Sequence, residues 1–227
     1  MNRFASALGV LALLSLAGCG GLGGGPRGPR VALEANPSAV IAAELGFARM
    51  AREQGQWTAF AEYAADSGVM FVPEQVNART WLKGRADPPE SVAWQPHQVW
   101  SSCDGSLAVT RGAWQRPDGS QGRFTTIWQR QERGDYRWVL DMGEALAEPL
   151  AEPEMIAATV ADCDTGNARP ARPGADGGEP GPQRPDMARD GTLHWTLAGN
   201  GPDGYLLTVT LRKDGDMREI LTSRSAP

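Results

Sequence analysis

The chain has 227 residues and a formal charge of −5 at pH 7, with 41% hydrophobic and 22% charged residues. That balance belongs to soluble globular chains of one ordinary domain plus an accessory piece. An acidic chain without a Lys/Arg cluster is a poor match for nucleic acid, and two histidines with no CxxC or HxxxH spacing give no expectation of a metal site or a cofactor.

Residues 1–18 read as a signal peptide: a basic start at Arg3, then an apolar run from Leu8 to Ala17 that is too short to span a bilayer. The run ends in Leu16-Ala17-Gly18-Cys19, which resembles the bacterial lipobox. That resemblance implies cleavage before Cys19 and acylation of its thiol. The mature protein would then be tied to the membrane through its N-terminal lipid, each buried methylene adding about 0.8 kcal/mol. Gly20, rather than Asp, follows the cysteine, which points to the outer membrane and a periplasm-facing protein of the cell envelope. Residues 19–35 are a Gly/Pro-rich tether.

A main domain is expected over residues 36–165. Asn36-Pro37 opens a first helix, with Val40, Ala43, Phe47 and Ala51 on its apolar face and Glu44, Arg49, Arg52 and Glu53 read as mostly off it; Gly55 ends it. A second helix carries Trp57, Phe60, Ala61 and Ala64 and ends at Asp66-Ser67-Gly68, with Asp66 as a turn-forming cap. Val69–Val72 reads as a buried strand closed by Pro73, and Asn77 caps a short helix through Leu82. Residues 93–102 are extended, with Pro96 placing that strand at an edge or making it irregular there.

From Leu107 to Glu144 the chain reads as three consecutive strands holding Trp114, Trp128, Tyr136 and Trp138. Asp118-Gly119 marks a tight first turn and Glu132-Arg133-Gly134 a three-residue loop, which sets Trp128 opposite Trp138, Thr126 opposite Leu140 and Phe124 opposite Met142. Pro153–Ala161 fits either a helix or an extended segment beside the sheet. Residues 166–188 are a Pro/Gly-rich flexible linker, and residues 189–227 regain alternation as a three-stranded meander too thin to stand alone.

Two helices, a short strand ending in Pro, a helical turn and long strands make a recognisable order. The carrying pieces are Ala61-Glu-Tyr-Ala-Ala-Asp66, Val72-Pro73, Gly112-Ala-Trp114, Gly122-Arg-Phe-Thr-Thr-Ile-Trp128 and Gly134-Asp-Tyr-Arg-Trp138-Val-Leu-Asp141. Over residues 38–144 this resembles the nuclear transport factor 2-like (NTF2-like) superfamily, in particular its SnoaL-like and DUF4440-type members. The resemblance implies an α+β cone, a strongly bent antiparallel sheet over N-terminal helices, with an open-ended pocket. The superfamily includes ketosteroid isomerases, dehydratases and polyketide cyclases.

With those turns, Thr110, Trp114, Thr125, Ile127, Val139 and Asp141 share the more polar face, the candidate pocket wall. Asp141 is the candidate base, since an apolar setting raises a carboxyl pKa into the useful range. Tyr63 and His97 are candidate electrophilic helpers, each with a structural role as its plainer reading. Cys103 and Cys163 remain after Cys19 is acylated, and an even count in an oxidising compartment points to a disulfide. The leading functional expectation is a lipid-anchored envelope protein that binds a small apolar ligand or a protein partner without turnover. The alternatives are an isomerase or lyase using Asp141, and a structural module forming a homodimer.

Overall fold

The computed structural model describes residues 34–163, 186–199 and 204–225. The expected signal peptide and lipobox, most of the expected tether and most of the linker lie outside the described residues.

Helix α1 (Pro37–Gln54) begins where Asn36 Oδ1 accepts the N–H of Ala39 and ends at Gly55, whose φ of 115° suits glycine. Helix α2 (Gln56–Tyr63) follows at once. Its open N-terminus is capped from a distance: Asp87 accepts the N–H groups of Trp57 and Thr58 at 2.5 and 3.1 Å, and the Thr58 hydroxyl at 2.6 Å. That cap pins residues 83–92 across the end of α2. The expected end of this helix shifts. Strand β1 (Ala64–Phe71) starts directly after Tyr63, so Asp66 is a strand residue, exposed and paired with Arg79 at 2.8 Å, and not a cap.

Strand β2 (Gln75–Asn77), helix α3 (Ala78–Leu82), β3 (Ala93–Ser101), β4 (Leu107–Gln115), β5 (Gln121–Arg130), β6 (Tyr136–Ala145) and β7 (Ala157–Val160) complete a seven-stranded sheet of order β2-β1-β6-β5-β4-β3-β7. The ambiguous segment after the hairpins is thus extended, parallel to the far half of β3. Pro96 lies in the near half, where only β4 is paired, so its missing donor costs no ladder bond. Strands β8 (Leu193–Gly199), β9 (Tyr205–Lys213) and β10 (Asp216–Arg224) form the separate meander.

Two registers differ from expectation, each by one residue. The first hairpin closes through three residues, Pro117-Asp118-Gly119, the N–H of Arg116 donating to Ser120 O at 2.8 Å and that of Gly119 to Arg116 O at 3.0 Å, instead of through the two-residue turn. Thr110 therefore faces Thr126, and Trp114 faces Gly122. The second hairpin does set Trp128 opposite Trp138, but a bulge at Val139 then places Ile127 opposite Leu140, Thr126 opposite Asp141 and Thr125 opposite Met142. A one-residue slip carries a strand's whole set of side chains to the other face. Thr125, Ile127 and Val139 consequently leave the expected pocket face. Asp141 moves with the second slip and stays on the same face as Thr110 and Trp114.

The sheet is packed on both sides. One side holds α1 and α2 through Val40, Phe47, Ala59, Trp128 and Trp138, all buried. The other buries Val109, Ile127, Val139, Leu140 and Met142 under Leu193, Leu207, Val209, Leu211 and Leu221 of the meander. Arg111 Nη2 donates to Thr222 O at 2.7 Å, and Asp162 accepts from Lys213 Nζ and from the N–H of Asp214, fixing the meander's position. Cys103 and Cys163 are joined by a disulfide, Cα–Cα 5.3 Å, across the sheet edge where β3 and β7 end. The fold is α+β: a large curved sheet over N-terminal helices, with a separate three-stranded antiparallel sheet on its back.

Candidate functional site

Between the helices and the sheet lies an open cavity of about 680 Å³. The helices contribute Phe47, Trp57 and Phe60; the sheet contributes Trp94, Trp114, Phe124, Met70 and Asp141; Pro88, Glu90 and Val92 come from the loop that Asp87 pins. The walls are thus mostly aromatic, and the rings brace each other: Phe47 meets Phe60 and Trp94 edge-on at 4.8 Å, and Trp57 meets Phe60 at 5.6 Å. Glycines let the large rings lie flat on the sheet. A Cβ at Gly122 would come within 2.5 Å of the Trp114 indole, and one at Gly112 within 2.8 Å of the Phe124 ring.

Asp141 is the carboxylate on this wall. Thr126 donates to its Oδ2 at 2.7 Å, and among the described residues no backbone N–H or cation engages it. Burial raises its pKa to about 6, the Thr126 hydrogen bond opposing the shift. The bulge at Val139 is what turns this side chain inward: without the extra residue Asp141 would stand opposite Thr125, under the meander.

A second carboxylate lies behind the wall, and the helix reading of α1 missed it. Glu44 is fully buried, on the same stripe as Val40, Phe47 and Ala51. Trp94 Nε1 donates to its Oε1 at 2.8 Å; Thr110 Oγ1 at 2.5 Å and Trp128 Nε1 at 3.0 Å donate to its Oε2. Burial nevertheless raises its pKa to about 7, against those hydrogen bonds, and the nearby charge of Asp141 adds to the rise. The two indoles can only donate. If Glu44 takes up a proton, the Thr110 hydroxyl is the neighbour able to reverse, accepting from the acid and donating to Thr126 O, 3.5 Å away. Thr110, Thr126 and Asp141 are successive partners across β4, β5 and β6, so a polar row links the two carboxyls. The sequence signal was the spacing: Glu44 is four residues after Val40 and three before Phe47.

Of the expected pocket residues, Trp114 and Asp141 line the cavity; Thr110 lies beneath it on Glu44; Thr125, Ile127 and Val139 face the meander. Tyr63 is not on the cavity wall. Its ring packs on Phe47 at 5.2 Å and its hydroxyl lies against Gly46, with burial raising its pKa. His97 is the bulged residue of β3, away from the cavity, its pKa lowered by burial with Glu152 opposing. The electrophilic roles considered for these two require a position on the wall, which neither has. Among the described residues no three His, Cys, Asp or Glu side chains converge as metal ligands.

The bent sheet, the helices on one side of it and the cavity between them form one α+β unit. No family model matches the sequence, and no curated protein matches it. Among solved structures the chain is similar to a protein provisionally assigned as a ketosteroid isomerase from Parabacteroides distasonis (15% identity, 52% of this chain and 93% of that one, TM-score 0.40). It is also similar to nuclear transport factor 2 from Cryptosporidium parvum (12%, 50% and 99%, TM-score 0.35). A third is an NTF2-like protein of unknown function from Mesorhizobium loti (16%, 49% and 93%, TM-score 0.32). These comparisons cover about half of this chain.

Proposed function

We propose that this is a lipid-anchored protein of the bacterial cell envelope whose cone binds one small, mainly apolar molecule, held by aromatic walls and oriented by Asp141. The observation that carries the binding reading is the cavity itself, about 680 Å³ between well-braced rings, with a carboxylate that has a single hydrogen-bond partner. The anchoring half rests on the Leu16-Ala17-Gly18-Cys19 sequence. Calorimetric titration with 2-naphthol, a flat neutral donor, tests the first half. One site, an affinity on the order of 0.1 mM and a negative heat-capacity change are expected. No heat of binding, or the same heat in a variant whose cavity is blocked, contradicts it. For the anchor, mass spectrometry of membrane-extracted protein should find an acylated Cys19 at the N-terminus; an unmodified chain that begins at Met1 contradicts it.

One observation favours a second reading. Asp141 faces the cavity with its pKa at about 6, the property of a base that removes a proton next to a carbonyl. Under that reading Asp141 carries the proton between two carbons of an isomerising ketone. Growth of conjugated-enone absorbance from a β,γ-unsaturated ketone, abolished in Asp141→Asn, would establish it; no turnover with a ketone that demonstrably binds would leave the binding protein alone.

A further inference from the structure

We infer that the molecule held in this cavity is a hydrophobic organic cation: a protonated amine or quaternary ammonium on an aromatic or aliphatic body, with Asp141 as its counter-ion and the surrounding indole and phenyl rings as its walls. This deepens the binding reading above and depends on it.

Two carboxyls, Asp141 on the wall and Glu44 behind it, sit close enough to feel each other's charge. Among the described residues neither is paired with a lysine or arginine, although surface acids such as Asp66, Glu144 and Asp162 all are. Asp141, Glu44 and the lining Glu90 stand against one lining cation among the described residues, Arg116, so the local field is negative once the carboxyls are ionised. The rings add to it, because the face of an aromatic ring attracts cations. The molecule already uses one wall in this way: the guanidinium carbon of Arg116 lies 4.8 Å from the Trp114 ring centroid, at the exposed end of the cavity.

Two indole N–H donors of the wall are already committed. Trp94 Nε1 is committed to Glu44 and Trp114 Nε1 to the Arg123 carbonyl at 2.9 Å. An anionic ligand would meet Asp141 with only Arg116, at the exposed end of the cavity, to offset the repulsion. An ammonium group would give Asp141 the charged donor it lacks, in a setting where such a pair is little screened by solvent. Its apolar body would replace water against Phe47, Trp57 and Phe60.

A matched set of probes tests this by calorimetry on the full mature chain at pH 8, above the pKa of both carboxyls. The probes are 1-naphthylmethylammonium, 1-naphthalenemethanol and 1-naphthoate, which share one ring system and differ in charge. The ammonium is expected to bind at least about tenfold more tightly than the alcohol and the naphthoate most weakly. In Asp141→Asn the ammonium-to-alcohol ratio is expected to fall to within about threefold. Equal or tighter binding of the alcohol in the wild type overturns the cation assignment while the cavity reading stands. An ammonium preference that survives in Asp141→Asn also overturns it, because the charge would then be read elsewhere. Failure of all three probes to bind removes the cavity reading and this inference with it. Should Asp141→Asn not fold, the wild-type ratio decides alone.

Discussion

On the meander side of the seven-stranded sheet, Val109, Ile127, Leu140 and Met142 pack directly with Leu193, Leu207, Val209 and Leu211. On the helix side, Phe47, Trp94, Trp114 and Phe124 stand around a space they do not fill, with two carboxyls beside it. Branched aliphatic side chains interdigitate and close; braced flat rings hold a gap open. The three threonines at the centre of the sheet show the same division. Thr110 and Thr126, on the helix side, hydrogen-bond Glu44 and Asp141, whereas Thr125, on the meander side, is buried with its hydroxyl unpartnered among the described residues. One side is built for stability, the other accepts polar groups at a cost in stability.

The largest expected effects lie on the closed side. Replacing Cys103 and Cys163 by serine frees a chain separation of 60 residues, which in the loop-entropy model costs about 4 kcal/mol; chemical denaturation should show it. Leu207→Ala opens the sheet–meander contact and should cost about 3 kcal/mol in the same assay. A smaller loss would mean that the meander is not part of the core.

Next comes the pH dependence of the open side. Folding raises the Glu44 pKa from 4.5 to about 7, so the unfolded chain gives up this proton first as pH rises. The stability tied to protonated Glu44 is fully present below pH 4.5 and is lost as pH rises through about 7, a change on the order of 3 kcal/mol. Asp141, raised from 3.8 to about 6, changes stability in the same direction. Denaturation midpoints measured between pH 4.5 and 8 should therefore decline, and the decline should be shallower in Glu44→Gln. A Glu44→Gln slope equal to the wild-type slope would show that the carboxylate titrates as an exposed one.

The threonine contrast gives smaller, opposite signs. Thr125→Val removes a buried hydroxyl that has no partner and should stabilise by about 1 kcal/mol. Thr110→Val takes a donor from Glu44 and leaves the Trp128 N–H with one acceptor fewer, so it should destabilise by about 1 to 2 kcal/mol.

The general plan of the cone was readable because long-range pattern and local chemistry agree: Asn36-Pro37 at a helix start, Gly134 in a hairpin loop, alternation along β9. What escaped was register. The difference between a two- and a three-residue loop around Asp118-Gly119, and one extra residue at Val139, leave almost no mark in composition, yet each turns a strand over. The two slips cancel for Asp141, which therefore stays on the face of Thr110 and Trp114, and they do not cancel for Thr125, Ile127 and Val139. Glu44 escaped for another reason. A charge on an apolar stripe looks like a helix-face boundary until Trp94, Trp128 and Thr110, from three other strands, supply its hydrogen bonds.

The smallest stability change should accompany a large functional one. A Cβ at Gly143 meets only the Trp114 indole, at an ordinary 3.5 Å, so Gly143→Leu puts a side chain into the cavity with little backbone strain. Stability should shift by less than about 1 kcal/mol, while probe binding falls at least about tenfold.

The most direct test of the open cone is crystallographic. Crystals soaked with 6-bromo-2-naphthol should show one anomalous bromine peak among Trp57, Phe60 and Trp94, with the naphthol hydroxyl directed at Asp141. Bromine found only on the outer surface, with the indoles of Trp94 and Trp114 collapsed together over Asp141, would contradict the account.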